Sequence, residues 1–144
     1  SLGALYSLDK VMEEALGKRV WLKSGGYLVI EPTEAMVVID VNTGKYSGKK
    51  TLQETILKIN LEAAHEVARQ LSLRNLSGII IVDFIDMESK EDQETLMRTL
   101  GEELSRDPVK TILVDMTRLV FQRFIIKRHR TVGKSHCRRA EAKA

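Results

Sequence analysis

The sequence lacks the cysteine pairs of disulfides, the long apolar runs of membrane spans and the patterned start of a secretory signal. A single cysteine, Cys137, excludes an internal disulfide and suits a reducing compartment. No apolar run approaches the length needed to cross a bilayer, and the first residues lack the basic and apolar regions of a secretory signal. We therefore expect a cytoplasmic protein without a membrane segment.

Several common types of site are also missing. The sequence has no zinc-ligand spacing and no Ser-His-Asp arrangement, and the glycines of GKYSGKK (residues 44–50) are too close together for a phosphate-binding P-loop. Trp21, Tyr27 and Phe84 are scattered along the chain. The sequence therefore predicts no platform on which nucleic-acid bases would stack.

Charge is unevenly distributed along the chain. Of the 23 Lys and Arg residues, nine lie in residues 118–144, where Glu141 is the one acid. Residues 1–117 consequently carry 14 basic and 19 acidic side chains, so the pI of about 9.0 reflects the last segment. Residues 119–144 are predicted to form a basic C-terminal tail, which either binds phosphates or is a solvated, poorly ordered terminus.

The hydrophobic pattern predicts one α/β domain with a mixed sheet. Residues 6–16 have helical spacing, and residues 19–22 and 27–31 alternate about a glycine turn as a β-hairpin. Residues 35–41 and the stretch from Gly78 have the apolar runs of strands covered on both faces, and an amphipathic helix between them ends near residue 73. Such a strand-helix-strand crossover makes the two strands parallel.

Further elements flank this crossover. Ser89 precedes an amphipathic stretch and can cap a helix over residues 90–105, and residues 110–115 (KTILVD) are predicted to form a third core strand. After Arg118 the apolar residues fit neither a helical stripe nor a clean alternation. We therefore assign no element beyond that residue.

The two core strands, AMVVIDVN (residues 35–42) and GIIIVDFIDM (residues 78–87), each deliver an aspartate at the carboxyl end. If the strands are parallel neighbours, Asp40 and Asp83 meet at one edge, where nearby carboxylates need a shared proton or a cation. Asn42 shares a face with Asp40 and can orient a ligand. Oxygen donors without a His or Cys cluster favour Mg²⁺ over Zn²⁺. The alternative is structural, because strand-end aspartates also cap helices and brace loops.

Other polar residues have less definite roles. Asp86 is either a further ligand or an exposed loop acid. The lysines of the glycine-containing loop either hold a phosphate backbone or are solvated, and Lys110 joins them as a candidate. The predicted RNA-binding residues are therefore Lys45, Lys49, Lys50 and Lys110.

Two motifs, IDVNTGK and ETILKINLEAAHEVARQLSLRNLSGIIIVDFIDM, closely resemble the ribonuclease E/G family of endoribonucleases, and the similarity covers roughly residues 4–118. The resemblance implies that residues 1–34 end a ribonuclease-H-like part, and that residues 35–118 form a DNase-I-like catalytic subdomain. The family's two metal-binding aspartates fall on Asp40 and Asp83, and its assisting asparagine falls on Asn42.

The resemblance implies Mg²⁺-dependent cleavage of single-stranded RNA, with Mn²⁺ as a substitute, leaving 5′-phosphate and 3′-hydroxyl ends in RNA processing and decay. Complete family members oligomerise. The family's S1-type RNA-binding segment, 5′-end sensor and Cys-Pro-x-Cys zinc link have no match here, since Cys137 stands alone in KSHCRR. We therefore expect a fragment with the metal centre and weak or absent cutting. A non-catalytic RNA-binding or scaffold module with structural aspartates is the alternative.

Overall fold

A six-stranded mixed sheet carries the candidate site. The computed structural model describes residues 3–4, 7–8, 10, 17–44, 52–117 and 123–130, apart from the side chains of residues 115–117. The elements in chain order are β1 (Arg19–Trp21), β2 (Tyr27–Pro32), β3 (Met36–Asn42), α1 (Leu52–Leu73), β4 (Gly78–Asp83), α2 (Lys90–Ser105), β5 (Thr111–Thr117) and β6 (Arg123–Arg128). The strand order is β1-β2-β3-β4-β6-β5.

This topology confirms the predicted α/β class, the hairpin and the crossover. β1 and β2 pair antiparallel, while β3 and β4, joined through α1, pair in parallel. α2 has the predicted bounds, and the Oγ of its N-cap Ser89 accepts a hydrogen bond from the Asp92 N–H at 3.4 Å. No helix in the described part of the chain is long and apolar enough to span a bilayer.

The hydrophobic core lies on one face of the sheet. Alternate strand residues point into it and pack with the apolar faces of α1 and α2 in a single cluster. Examples are Ile39 of β3, Val82 of β4 and Phe124 of β6, which are all fully buried. On the opposite face Val38 and Ile81 are only partly buried. The expectation of strands covered on both faces is therefore wrong for the described residues, because apolar residues also occupy this second, half-buried face.

The expectation that no helix or strand follows residue 118 is also wrong, because Arg123–Arg128 forms β6 between β4 and β5. Phe124, Ile126 and Arg128 point into the core, so the inward side of this strand ends in a charge. Arg128, only 2% exposed, donates to Asp107 at 2.7 Å and to the carbonyl oxygen of Leu76 at 2.8 Å. A buried arginine at a core position obscured the alternation that would have identified the strand.

Three groups of predictions fall outside the described residues. These are most of the helix over residues 6–16, the loop lysines 45, 49 and 50, and Cys137 with the rest of residues 131–144. Of the predicted helix, residues 7, 8 and 10 are described, and these are helical.

Candidate active site

Asp40 and Asp83 stand at the same level of two adjacent parallel strands. They are the last register pair of β3 and β4, which places their backbones one strand spacing apart, about 4.8 Å. Because Ile39 and Val82 point toward the helices, both aspartates point to the opposite face of the sheet. The structure thus brings together the two carboxylates that the sequence predicted would meet.

The two carboxylates differ in their surroundings. Asp40 is exposed, whereas the side chain of Asp83 is 28% exposed. Burial raises the pKa of Asp83; the guanidinium of Arg123 counteracts this shift, and the negative charges of Asp40 and Asp86 add to it. The pKa of Asp83 therefore lies above its ordinary value mainly because of burial, and repulsion from the Asp40 charge makes a smaller contribution. A cation between the two groups would relieve this repulsion.

Asn42 is held beside Asp40. Its Nδ2 donates a hydrogen bond to the Asp40 Oδ2 at 3.4 Å, and its backbone pairs with Tyr27 of β2. Asn42 lies on the same face as Asp40 because the two residues are separated by one position of a strand. The amide therefore orients the exposed carboxylate. Its oxygen is an uncharged atom of the kind that can ligate a cation.

This donor set fits a hard divalent cation. Two carboxylates and an amide oxygen are the ligands that Mg²⁺ takes from a protein, with water completing its octahedral shell. Among the described side chains no group of three or more His, Cys, Asp or Glu residues could hold a metal ion, whereas Zn²⁺ sites take three or four such ligands. The same finding limits any cation here to two acidic ligands from the described residues. Asp86 is exposed in the loop that follows β4, which leaves Asp40 and Asp83 as the charged pair in register.

Arg123 is a site residue that the sequence did not predict. It pairs with Asp83 across β4 and β6, its Nε lies 3.7 Å from the Asp83 Oδ2, and its side chain is 50% exposed. A half-exposed guanidinium beside Asp83 can bind a phosphate that approaches the same face. No signal pointed to this arginine, because it lies in the stretch whose strand was not recognised.

Two contacts from α1 fix the segments that follow the functional residues. The buried Asn60 donates from Nδ2 to the carbonyl oxygen of Ile85 at 2.8 Å and accepts from its N–H at 3.1 Å, just beyond Asp83. Glu62 accepts hydrogen bonds from the N–H groups of Lys23 and Ser24 in the hairpin turn. The crossover helix therefore anchors both the exit of β4 and the turn beside β3.

That turn packs directly against the end of β3. A Cβ atom on Gly26 would lie 2.8 Å from the carbonyl oxygen of Asn42, and one on Gly44 would collide with the carbonyl oxygen of Gly25. Gly44 also has a φ of +64°, in the left-handed region that favours glycine. The close approach of these backbones holds Asn42 and the start of the next loop in place.

Of the predicted RNA-binding lysines, the structure describes Lys110, which lies away from this site. Lys110 is exposed and precedes β5, whose first residue pairs with Arg128, at the far end of β6 from Arg123. At about 3.4 Å per residue this separation is roughly 17–20 Å. Lys45, Lys49 and Lys50 are outside the described residues. A role of these four lysines in RNA binding stays a prediction.

Comparison with known proteins places this arrangement in context. The model of the Ribonuclease E/G family matches residues 1–130. Ribonuclease G of Haemophilus influenzae is 47% identical over 126 residues, which cover 88% of this chain and 26% of that protein. Ribonuclease G of Escherichia coli K12 is 46% identical (79% of this chain, 25% of that protein), and Ribonuclease E of Nostoc is 47% identical (79% and 17%). The chain thus spans about a quarter or less of these relatives.

Proposed function

Because the chain belongs to the Ribonuclease E/G family, we propose that it carries the metal centre of an endoribonuclease acting on single-stranded RNA in RNA processing and decay. The observation that supports this most directly is the register pairing of Asp40 with Asp83 on one open face of the sheet. The products would carry 5′-phosphate and 3′-hydroxyl ends. Such an enzyme works where RNA is made and degraded, so we expect a cytoplasmic location.

In this proposal each residue of the site has a distinct task. Asp40 and Asp83 hold Mg²⁺, or Mn²⁺ in its place, and Asn42 keeps the Asp40 carboxylate in position through its 3.4 Å hydrogen bond. When bound, the cation polarises the scissile phosphate and lowers the pKa of the attacking water. Arg123 provides a positive charge for a phosphate oxygen on the same face.

Segments of the parent protein outside this chain would make most of the contacts with RNA. The chain covers 26% of the Haemophilus influenzae relative, so the parent protein is expected to contain further segments that align the substrate. The isolated chain should therefore bind the metal yet cut RNA weakly or not at all. Assembly of the complete protein into oligomers is likewise expected from the family resemblance.

The test is cleavage of a 5′-monophosphorylated single-stranded RNA by the complete parent protein, compared with its Asp40→Asn and Asp83→Asn variants. We expect cutting that requires Mg²⁺ and falls at least 100-fold in each variant, roughly the loss of one strongly stabilising group at the transition state. A ligase should accept the new 5′ ends and a polymerase should extend the new 3′ ends. Cutting that persists in EDTA, or ends bearing a 2′,3′-cyclic phosphate, would exclude the proposal.

A non-catalytic scaffold module is the second candidate, and the contact of Arg123 with Asp83 favours it. In that case the aspartate serves to tie β6 to β4, with no metal involved. Thermal unfolding with and without Mg²⁺ separates the candidates, because a ligand that binds only the folded state raises the melting temperature. A melting temperature that Mg²⁺ leaves unchanged, with full RNA binding, would support the scaffold.

A further inference from the structure

The β1–β2 hairpin assembles an aromatic cluster next to the candidate active site. Trp21 and Tyr27 are a register pair, with ring centroids 5.1 Å apart and ring planes at 53°. The Cζ of Arg19 lies 4.5 Å from the Tyr27 ring centroid and 5.8 Å from that of Trp21. The sequence prediction that these aromatic residues are scattered is therefore wrong for Trp21 and Tyr27, which the hairpin turn brings together.

The cluster of Arg19, Trp21 and Tyr27 lies on the same face as the carboxylates. Register pairs run from Trp21 through Tyr27 to Asn42 at one level, and from Arg19 through Val29 to Asp40 and Asp83 at the next. Since neighbouring strands are about 4.8 Å apart, Trp21 stands roughly 10 Å from the strand that carries Asp40. An open groove connects the cluster to β3, lined by Trp21, Gly25, Tyr27, Asn42, Thr43 and Gly44.

The exposure of the cluster sets it apart from a packed core. Trp21 is 63% exposed, the most exposed large hydrophobic side chain of the sheet strands that the structure describes. Its partner across the hairpin is a tyrosine, and the third member is a planar cation within cation–π distance of both rings. Exposed aromatic rings and guanidinium planes are the groups on which unpaired bases stack.

We propose that Arg19, Trp21 and Tyr27 form a stacking platform for an unpaired base of the RNA, next to the nucleotide positioned for cleavage at Asp40 and Asp83. This rests on the proposed function. The positive charge of Arg19 suits the phosphate backbone, and the groove leads from the rings to Asn42. Stacking uses the face of the base, so the platform accepts any of the four bases.

The test uses the fluorescence of Trp21, the one tryptophan in the sequence. The chain, carrying Asp40→Asn and Asp83→Asn and kept in EDTA so that neither metal nor cutting contributes, is titrated with oligoadenylate. A second titration uses an abasic ribose-phosphate oligomer of the same length and charge. We expect oligoadenylate to quench Trp21 and to bind roughly 5- to 100-fold more tightly than the abasic oligomer, as stacking of a single base provides.

Three variants and a control assign the effect to the platform, with binding followed by the anisotropy of labelled RNA. Tyr27→Leu and Trp21→Leu should remove most of the preference for the base-bearing oligomer, and their melting temperatures show whether they fold. Arg19→Lys keeps the charge and loses the planar group, so it should reduce the preference as well. Arg98→Lys, an exposed position on α2, should leave it unchanged.

Three results would overturn the platform. These are equal affinity for the two oligomers, RNA binding that leaves Trp21 emission unchanged, and no RNA binding at all. Equal affinity would show that the surface recognises charge alone. Unchanged emission would indicate that the rings contact another protein segment and not RNA. All of these outcomes are independent of cleavage by the complete protein, so the platform and the proposed nuclease function can fail separately.

Discussion

The side-chain amide of Asn60 takes the place of a strand partner for the backbone of Ile85. It donates to the carbonyl oxygen at 2.8 Å and accepts from the N–H at 3.1 Å, and Asn60 itself is fully buried in α1. Ile85 lies two residues after Asp83, where β4 has ended and its sheet hydrogen bonds have stopped. Backbone groups at such a depth need partners, so the crossover helix supplies them.

Replacement of Asn60 should therefore destabilise the fold and release the segment after Asp83. Asn60→Leu leaves both backbone groups of Ile85 unpaired, and we expect a loss of about 2–4 kcal/mol in the free energy of unfolding measured with urea. Hydrogen exchange at the Ile85 amide should accelerate. Lys58→Leu, an exposed change on the same helix, serves as control. Equal stability of the two variants would show that the amide has no such role.

The contact of Glu62 with the hairpin turn gives a second prediction. Its carboxylate accepts from the N–H groups of Lys23 and Ser24, so Glu62→Ala should cost about 1.5–3 kcal/mol, the range of hydrogen bonds to charged groups. The two amides should lose protection against hydrogen exchange, while Glu91→Ala, an exposed acid of α2, should change stability by less than about 0.5 kcal/mol. Unchanged exchange at both amides in Glu62→Ala would refute this anchoring.

Gly44 and Gly78 allow a matched comparison of two left-handed glycines. Their φ angles are +64° and +87°, but a Cβ at Gly44 would meet the carbonyl oxygen of Gly25, whereas one at Gly78 would enter open space. Alanine at Gly78 should cost only the backbone strain, about 1–2 kcal/mol. Alanine at Gly44 should cost more and should also weaken divalent-ion binding, because the turn that supports Asn42 must move. Similar melting temperatures for the two variants would contradict this.

The buried pair of Asp107 and Arg128 predicts a pH dependence. Burial by itself would raise the pKa of Asp107, but hydrogen bonds from Arg128, the Val109 N–H and the Thr111 hydroxyl outweigh it and hold the pKa below its ordinary value. For an acid with a lowered folded-state pKa, the stabilisation is complete above the unfolded-state pKa of about 3.9 and is lost as pH falls through the folded-state value.

Asp107→Asn should accordingly destabilise the protein by about 3 kcal/mol at pH 7, the low end for breaking a buried pair, because Arg128 keeps Leu76 and Asn75 as acceptors. The difference in melting temperature from the wild type should shrink as the pH falls below about 4. The exposed pair of Lys18 and Glu31 provides the control, since Glu31→Gln should cost less than about 1 kcal/mol. A difference that is constant from pH 7 to pH 3 would exclude the electrostatic explanation.

The local pattern was sufficient to predict the crossover and its two aspartates. Apolar runs marked β3 and β4, helical periodicity marked α1, and the handedness of such connections required parallel strands, which places Asp40 opposite Asp83. Each step depends on residues close together in the sequence or on a general topological rule.

Features that depend on distant or exceptional residues could not be predicted in this way. β6 escaped notice because Arg128 occupies a core position, and its partner Asp107 lies 21 residues away. With β6 unrecognised, Arg123 could not be placed beside Asp83. The aromatic cluster was missed because Trp21 and Tyr27 become neighbours only when the hairpin register is known. The hairpin itself was predicted, but its register was not, and the Arg128–Asp107 contact joins residues too far apart for any local pattern to reveal.

Calorimetric titration of this chain with Mg²⁺ and Mn²⁺ tests most directly whether Asp40 and Asp83 hold one cation together. We expect binding by the wild type, a loss of about 10-fold or more in Asp40→Asn and in Asp83→Asn, and little further loss in the double variant, because two ligands of one site act as a unit. Glu102→Gln, an exposed acid of α2, should bind like the wild type. Wild-type affinity in Asp83→Asn would contradict the shared site.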